Sequence, residues 1–227
     1  MYYRFRWVYC QIVYLRGCHP GRIRHSLAEF PETLDETYER TLREINKADW
    51  ELAHRLFQCI ADAARPLGVE ELAEILAFDF KAGPIPKLRE DWRPEDPVEA
   101  VLSICTTLIS LVNVENSQVI QFSHFSVREF LTSARLAENY NTISRRYHIS
   151  PTPAHTLVVQ ACLGTLLHLD QNVTRDIVRA FPLAEYAARH WFEHARSEVS
   201  HDVGKGMKQL SDRKNHISLF GYGYMTQ

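Results

Sequence analysis

The sequence lacks an apolar run long enough to cross a membrane. Its apolar stretches, such as residues 101–114, are broken by Ser, Thr and Asn and stop short of the roughly 20 residues that a membrane helix requires. The first residues lack the order of basic, apolar and small residues that marks a secretory signal, and they resemble a helix entered halfway along. We therefore expect a soluble, cytoplasmic protein with no membrane partner.

The chain also lacks an excess of charge of either sign. Its 26 Lys and Arg residues nearly balance its 28 Asp and Glu residues, and the formal charge is -2, so the chain as a whole has little attraction for nucleic acid. The cysteines are few, odd in number and without a C-x-x-C, which argues against a disulfide framework or a zinc knuckle. They are Cys10, Cys18, Cys59, Cys105 and Cys162.

Motifs for nucleotide hydrolysis and nucleophilic catalysis are missing. The Gly-Lys pair at Gly204 is followed by Gly206 instead of a hydroxyl residue, so it is not a phosphate-binding P-loop. The chain has no G-x-S-x-G nucleophile elbow, and no cysteine lies in a recognisable protease signature. The sequence therefore predicts a non-catalytic protein with no cofactor of its own.

One pattern typical of a metalloenzyme is present, the H-x-x-E-H of His190, Glu193 and His194. On a helix, this spacing places two imidazoles on one face beside a carboxylate, as in inverted zinc peptidases. A zinc site would need a third ligand, usually a distant downstream Glu, and few residues follow His194. We favour the simpler interpretation, in which His190 and Trp191 are buried, Glu193 and His194 face solvent, and no metal is bound.

Periodicity and capping patterns predict a mostly α fold. Thr33 with Glu36 and Ser126 with Glu129 both match a capping box at the start of a helix. Apolar spacing predicts helices over 34–45, 53–64, 70–78 and 98–108, and another after Ser126. Between them we expect an extended step at 67–69, an exposed loop at 81–97 and a hairpin of strands 111–114 and 119–122.

The order helix, short strand, helix, helix, hairpin is typical of a winged helix with a small two-stranded wing, here over residues 47–140. Winged helices often bind DNA, but residues 94–127 contain no Lys or Arg, so we expect a surface that faces protein instead. Helices over 150–197 predict the start of a superhelical arm. Residues 198–227 show no period, and we expect a loose tail.

Four blocks of sequence carry a resemblance to a known family. They are Phe5-Arg-Trp-Val-Tyr-Cys-Gln11, Phe30-Pro-Glu-Thr-Leu-Asp-Glu-Thr-Tyr-Glu-Arg40, Arg65-Pro-Leu-Gly-Val-Glu-Glu-Leu-Ala-Glu74 and Phe122-Ser-His-Phe-Ser-Val-Arg-Glu-Phe-Leu131. In this order they resemble the region after the NTPase core of fungal NACHT (STAND-type) proteins, which ankyrin or WD repeats often follow. Its winged helix is named after GPI inositol-deacylase, a name that implies no lipase here because the serine elbow is missing.

The resemblance implies a role for His124. In signalling NTPases of this kind, a histidine of the winged helix reaches the diphosphate of the bound nucleotide, and the motif around His124 resembles that histidine's motif. A donor beside a helix N-terminus suits an anion. The open alternative is that His124 only caps the following helix or bonds a backbone carbonyl.

The resemblance also implies that residues 1–46 end the helical lid of the NACHT domain. ADP or ATP would then bind only where a NACHT core, in cis or in trans, completes the site, and the arm would contact other proteins. The alternative is a free-standing helical adaptor that binds proteins without nucleotide. Two departures from the family are the missing glycine stretch before Phe5 and a tail unlike a repeat. The tail suggests a truncated or mispredicted gene.

Overall fold

The computed structural model describes residues 2–114, 117–139, 142–169, 175–196 and 201–212. These residues form a mostly helical fold with small antiparallel strand pairs, as predicted. The helices are α1 Tyr2–Arg16, α2 Ile23–Ala28, α3 Leu34–Glu44, α4 Trp50–Asp62, α5 Val69–Leu76, α6 Pro97–Ile104, α7 Phe125–Leu131, α8 Ala134–Ala137, α9 Thr142–Arg145, α10 Pro151–His168, α11 Arg175–Ala180, α12 Leu183–Ala195 and α13 His201–Asp212. The strands are β1 Phe78–Asp79, β2 Lys87–Leu88, β3 Ile109–Val114 and β4 Ser117–Phe122.

Helix α3 begins at the capping box that the sequence predicts. The Thr33 hydroxyl accepts the N–H of Glu36, and the Glu36 carboxylate accepts the N–H of Thr33. The helix then buries Tyr38 and Leu42 completely. Because Tyr38 packs against Phe130 of α7, with ring centroids 5.4 Å apart, α3 shares a core with the residues that follow it.

The predicted hairpin is confirmed, and a third segment joins it. Strands β3 and β4 pair from Ile109 with Phe122 to Val114 with Ser117. The Leu67 carbonyl accepts the N–H of Ile120 at 3.1 Å, and Gly68 forms an isolated bridge with Val119. The extended step between α4 and α5 therefore lies along the outer side of β4.

The segment 81–97 is less exposed than predicted. Lys87–Leu88 pairs with Phe78–Asp79, and the Leu88 side chain is buried. The prediction of an exposed loop is wrong at this point because an apolar side chain and a strand pair hold the segment to the core. Helix α6 is also shorter than the predicted 98–108: Asp96 caps its start, and the extended backbone of Cys105 ends it.

The arm is fastened to the preceding helices by buried polar contacts. The Glu74 carboxylate of α5 accepts the N–H of Leu183 at the start of α12 at 2.6 Å and forms a salt bridge with Arg93. The Tyr186 hydroxyl of α12 accepts the N–H of Ala64, just after α4, at 3.0 Å. Helices α4, α5 and α12 therefore pack as one body.

The prediction of a loose tail over 198–227 is wrong for its described part. His201–Asp212 forms helix α13, which buries Val203 and Leu210. A Cβ atom at Gly206 would collide with the Ile85 side chain and lie 3.1 Å from a methyl group of Leu163 in α10. The glycine thus permits a close approach of α13 to α10 and to Ile85. Residues 213–227 lie outside the described part.

Candidate functional site

His124 lies between the wing and α7, in extended backbone with φ -162° and ψ 148°. Its Nδ1 accepts the N–H of Ser126 at 3.3 Å and lies 2.7 Å from the Ser126 hydroxyl. The predicted capping box of Ser126 and Glu129 is therefore wrong, because His124 is the capping residue of α7. This is the capping role that the sequence left open as the simpler alternative.

The cap occupies only one side of the imidazole. Because Nδ1 accepts a backbone N–H, the neutral ring must carry its proton on Nε2. The ring is half-buried and lies against Phe125, with centroids 4.3 Å apart, and the Phe125 side chain is itself exposed. His124 is thus near the surface and can present one N–H donor.

Residues from distant parts of the chain surround this histidine. The hydroxyl of Ser126 lies 2.8 Å from that of Tyr38 in α3. Arg6 of α1 is buried and donates to the Thr107 carbonyl at 2.9 Å and to the Ser123 hydroxyl. The site therefore joins α1, α3, the wing and α7.

Burial and positive charge keep the imidazole neutral. Burial is the larger cause of the lowered pKa of His124, the charge of Arg6 adds to it, and Glu129 opposes it. Arg6 itself is held by a carbonyl and a hydroxyl, neither of which carries a charge. The site therefore has positive potential and a neutral hydrogen-bond donor, a combination suited to an anion.

Sequence and structure comparisons bear on this region. Residues 38–142 match the family model described as "GPI inositol-deacylase, winged helix domain". This segment is therefore similar to that winged helix family. The match begins at Tyr38 within α3, ahead of the boundary predicted at Lys47, and includes His124.

A relative is known from Monascus ruber, the "Azaphilone pigments biosynthesis cluster protein L". It is 34% identical over 177 residues, which make up 75% of this chain but 36% of the relative. The chain thus spans about a third of that protein's length. No solved structure matches the chain significantly.

Helix α1, ahead of the winged helix domain, exposes an apolar stripe. Phe5, Val8, Tyr9 and Ile12 follow one another at helical spacing, and each side chain is exposed, that of Phe5 by 70%. A contiguous exposed apolar face of this kind is typical of a surface that another protein covers.

The H-x-x-E-H segment lies in the arm, outside the winged helix domain, and its geometry differs from the prediction. His194 does not face solvent: it is 1% exposed, and its Nε2 lies 2.8 Å from the Tyr186 hydroxyl. Its Nδ1 lies 2.9 Å from Nδ1 of His155 in α10. Within the described residues, no group of three or more His, Cys, Asp or Glu side chains could hold a metal ion. The segment therefore packs α12 against α10.

The Gly-Lys-Gly segment, the cysteines and the apolar stretches noted in the sequence can be located in the structure. The Gly-Lys-Gly of residues 204–206 lies inside α13 and has no phosphate-loop geometry. Four of the five cysteines are buried, and burial raises the pKa of the Cys59 thiol to about 12 and that of Cys105 to about 11. Among the described residues, no helix is long and apolar enough to span a membrane.

The partners of His124 could not be predicted from the sequence. Arg6 and Ser123 are 117 positions apart, and Tyr38 and Ser126 are 88 apart. No local pattern links residues at such separations. The available signal was that Tyr38 belongs to the apolar stripe of α3, which predicts its burial but not its partner.

Proposed function

We propose that this chain is a regulatory, non-catalytic region of a NACHT-type signalling NTPase, whose winged helix domain senses bound nucleotide through His124. The observation that carries the proposal is the half-exposed imidazole, whose Nδ1 is occupied by the helix cap and whose Nε2 is left as a donor. In the complete protein, this donor would reach the diphosphate of ADP held by the P-loop domain. The chain alone supplies one side of the site and should bind ADP negligibly.

The apolar stripe of α1 supports a partner that covers this end of the molecule. Phe5 and Tyr9 are exposed on the same helix from which Arg6 reaches the wing. A NACHT core docked on this stripe would bring its nucleotide to the side of the domain where His124 lies. The core therefore acts as partner in cis or in trans.

The hydrogen bonds between the arm and the winged helix domain support a switch in which the two move together. Glu74 binds the start of α12, and Tyr186 binds the end of α4, both through buried polar groups. Separation of these helices would break both hydrogen bonds, at a cost of about 0.5–1.5 kcal/mol for the neutral bond and about 1.5–3 kcal/mol for the bond to the Glu74 carboxylate. The winged helix domain and the arm therefore move together when nucleotide exchange shifts the balance between two arrangements.

Calorimetry with ADP tests the proposal. ADP is titrated into the chain alone, into the NACHT core of a fungal NACHT protein, and into their mixture. We expect tighter ADP binding in the mixture than with the core alone, and the gain should disappear with His124→Ala. His25→Ala, at a side chain that is 76% exposed, is the matched control and should keep the gain. Equal ADP affinity for the wild type and His124→Ala mixtures contradicts the sensor role.

The adaptor alternative gives a different result in the same experiment. An adaptor would bind its protein partner through the stripe of α1 with an affinity that does not depend on nucleotide. We expect binding of the chain to the core to be stronger with ADP than without it. Binding that is insensitive to ADP but is lost with Phe5→Asp supports the adaptor and contradicts the switch.

A further inference from the structure

The hydrogen bonds behind His124 have a defined direction. Nδ1 accepts the backbone N–H of Ser126, so this nitrogen carries no proton and the Ser126 hydroxyl must donate to it across 2.7 Å. A hydroxyl has a single hydrogen to donate. The Ser126 oxygen must therefore accept from the Tyr38 hydroxyl, which lies 2.8 Å away. In this series of hydrogen bonds, each hydrogen points toward Nδ1 of His124.

Tyr38 is held so that this direction persists. Its side chain is completely buried and packs against Phe130. Burial is the main cause of its raised pKa, which hydrogen bonding with Ser126 and Arg6 opposes. The tyrosine therefore stays protonated and can donate at any pH near neutrality.

Arg6 acts on the same imidazole through its charge. The guanidinium bridges α1 to the wing by donating to Thr107 and Ser123. Since both partners are neutral, its positive charge is not cancelled there, and it opposes a second positive charge on His124. A second proton on His124 would also place an N–H on Nδ1, facing the N–H of Ser126, and would break the cap of α7.

We propose that Arg6, Tyr38 and Ser126 are positioning residues that hold His124 as a neutral imidazole with its proton on Nε2, so that the ring offers one fixed donor to a phosphate oxygen. The identity of the phosphate, a diphosphate on a neighbouring domain, rests on the proposed function, whereas the state of the ring does not. Among the described residues, the charges of Arg6 from α1 and Glu129 from α7 itself act on this ring, and Tyr38 from α3 acts through the Ser126 hydroxyl.

The state of the ring can be measured on the full chain without any ligand. With histidine labelled with 15N in the ring, we expect the His124 spectrum near pH 7.5 to show an unprotonated Nδ1 and a protonated Nε2. A ring protonated on Nδ1, or an equal mixture of the two tautomers, overturns the inference. This measurement needs no variant beyond the one that assigns His124.

Variants then identify the residues that set this state. Arg6→Gln should raise the pKa of His124, because it removes a repelling charge, and Arg6→Lys should restore the wild-type value. Ser126→Ala and Tyr38→Phe should shift the ring toward the other tautomer. Tyr14→Phe, which removes a tyrosine hydroxyl outside this network, should change neither property. A His124 pKa and tautomer that are unchanged in all three test variants contradict the positioning role.

Affinity for ADP in the mixture with a NACHT core separates this inference from the proposed function. If both the positioning network and the sensor role of His124 hold, Tyr38→Phe weakens ADP binding about fivefold, which is the effect of losing one hydrogen bond of about 1 kcal/mol. A ring with its proton on Nε2 but with no effect of His124→Ala on ADP overturns only the sensor role. A ring protonated on Nδ1 in a chain whose ADP affinity depends on His124 overturns only the positioning network.

Discussion

The buried His194 predicts that acid destabilises the arm. Its imidazole is 1% exposed and lies between the Tyr186 hydroxyl and the His155 ring. Burial, reinforced by the nearby His155, lowers the pKa of His194 from 6.5 to about 4. The unfolded chain therefore binds the proton at a higher pH than the folded chain does, so the contribution of this group to stability is present above pH 6.5 and is lost as the pH falls toward 4.

The magnitude follows from these two values. The difference between the pKa of His194 in the unfolded and folded chain corresponds to about 3 kcal/mol in the free energy of unfolding between high and low pH. About 2 kcal/mol of this is lost between about pH 7.5 and pH 5. Two imidazole nitrogens 2.9 Å apart can share one proton, whereas two protons would face each other. Protonation of His194 thus places a positive charge in a buried site at the contact between α10 and α12.

Urea unfolding followed by tryptophan fluorescence tests this prediction across the same pH range. We expect the wild type and His25→Gln, an exposed control, to lose about 2 kcal/mol more than His194→Gln on acidification. An NMR titration of His194 in the wild-type chain gives a second measurement, with protonation expected only near pH 4. The reasoning is refuted if His194→Gln loses stability as steeply as the wild type, or if the ring titrates near 6.5.

Other predictions concern packing and reactivity. Gly164→Ala should destabilise the chain by roughly 1–2 kcal/mol in urea unfolding, because its Cβ would lie 2.6 Å from the buried ring of Phe78. By contrast, Gly204→Ala should stabilise α13 by up to about 1 kcal/mol, because the space around its Cβ is open. Glu74→Ala should cost roughly 2–4 kcal/mol by the same assay, since it leaves the partly buried guanidinium of Arg93 and the buried N–H of Leu183 without their partner, while Glu70→Ala on the exposed face of α5 should cost little. Cys18 should react with a thiol reagent before the four buried cysteines, as mass spectrometry of partly labelled native protein can show.

Local patterns in the sequence were enough to locate most helices and the wing. The capping box of Thr33 is confirmed because both of its partners lie within one turn. The same pattern failed at Ser126, where an adjacent side chain competes for the N–H groups of the first turn. His124 caps α7 two residues earlier, and no propensity ranks these two options without the backbone conformation that the wing imposes.

Errors in the arm have a different physical origin. The burial of His194 continues the apolar stripe of Leu183 and Tyr186 along α12, so periodicity contained this information. The prediction instead placed His190 and Trp191 on the buried face and His194 in solvent. Helix α13 was missed because the role of Gly206 depends on Ile85 and Leu163, two segments that the sequence does not place beside it.

The two joints of the winged helix domain differ in how easily they can change, and this difference determines where the proposed switch acts. Toward the arm, Glu74 of α5 accepts the N–H of Leu183 in α12 within a buried environment, so separation of these helices would break a charge-assisted hydrogen bond. Toward α1, Arg6 holds the wing through a carbonyl and a hydroxyl. Phosphate oxygens accept from a guanidinium more strongly than either of these neutral groups does. In the proposed switch, a nucleotide bound at His124 would therefore act on the joint with α1, and the arm would follow the winged helix domain.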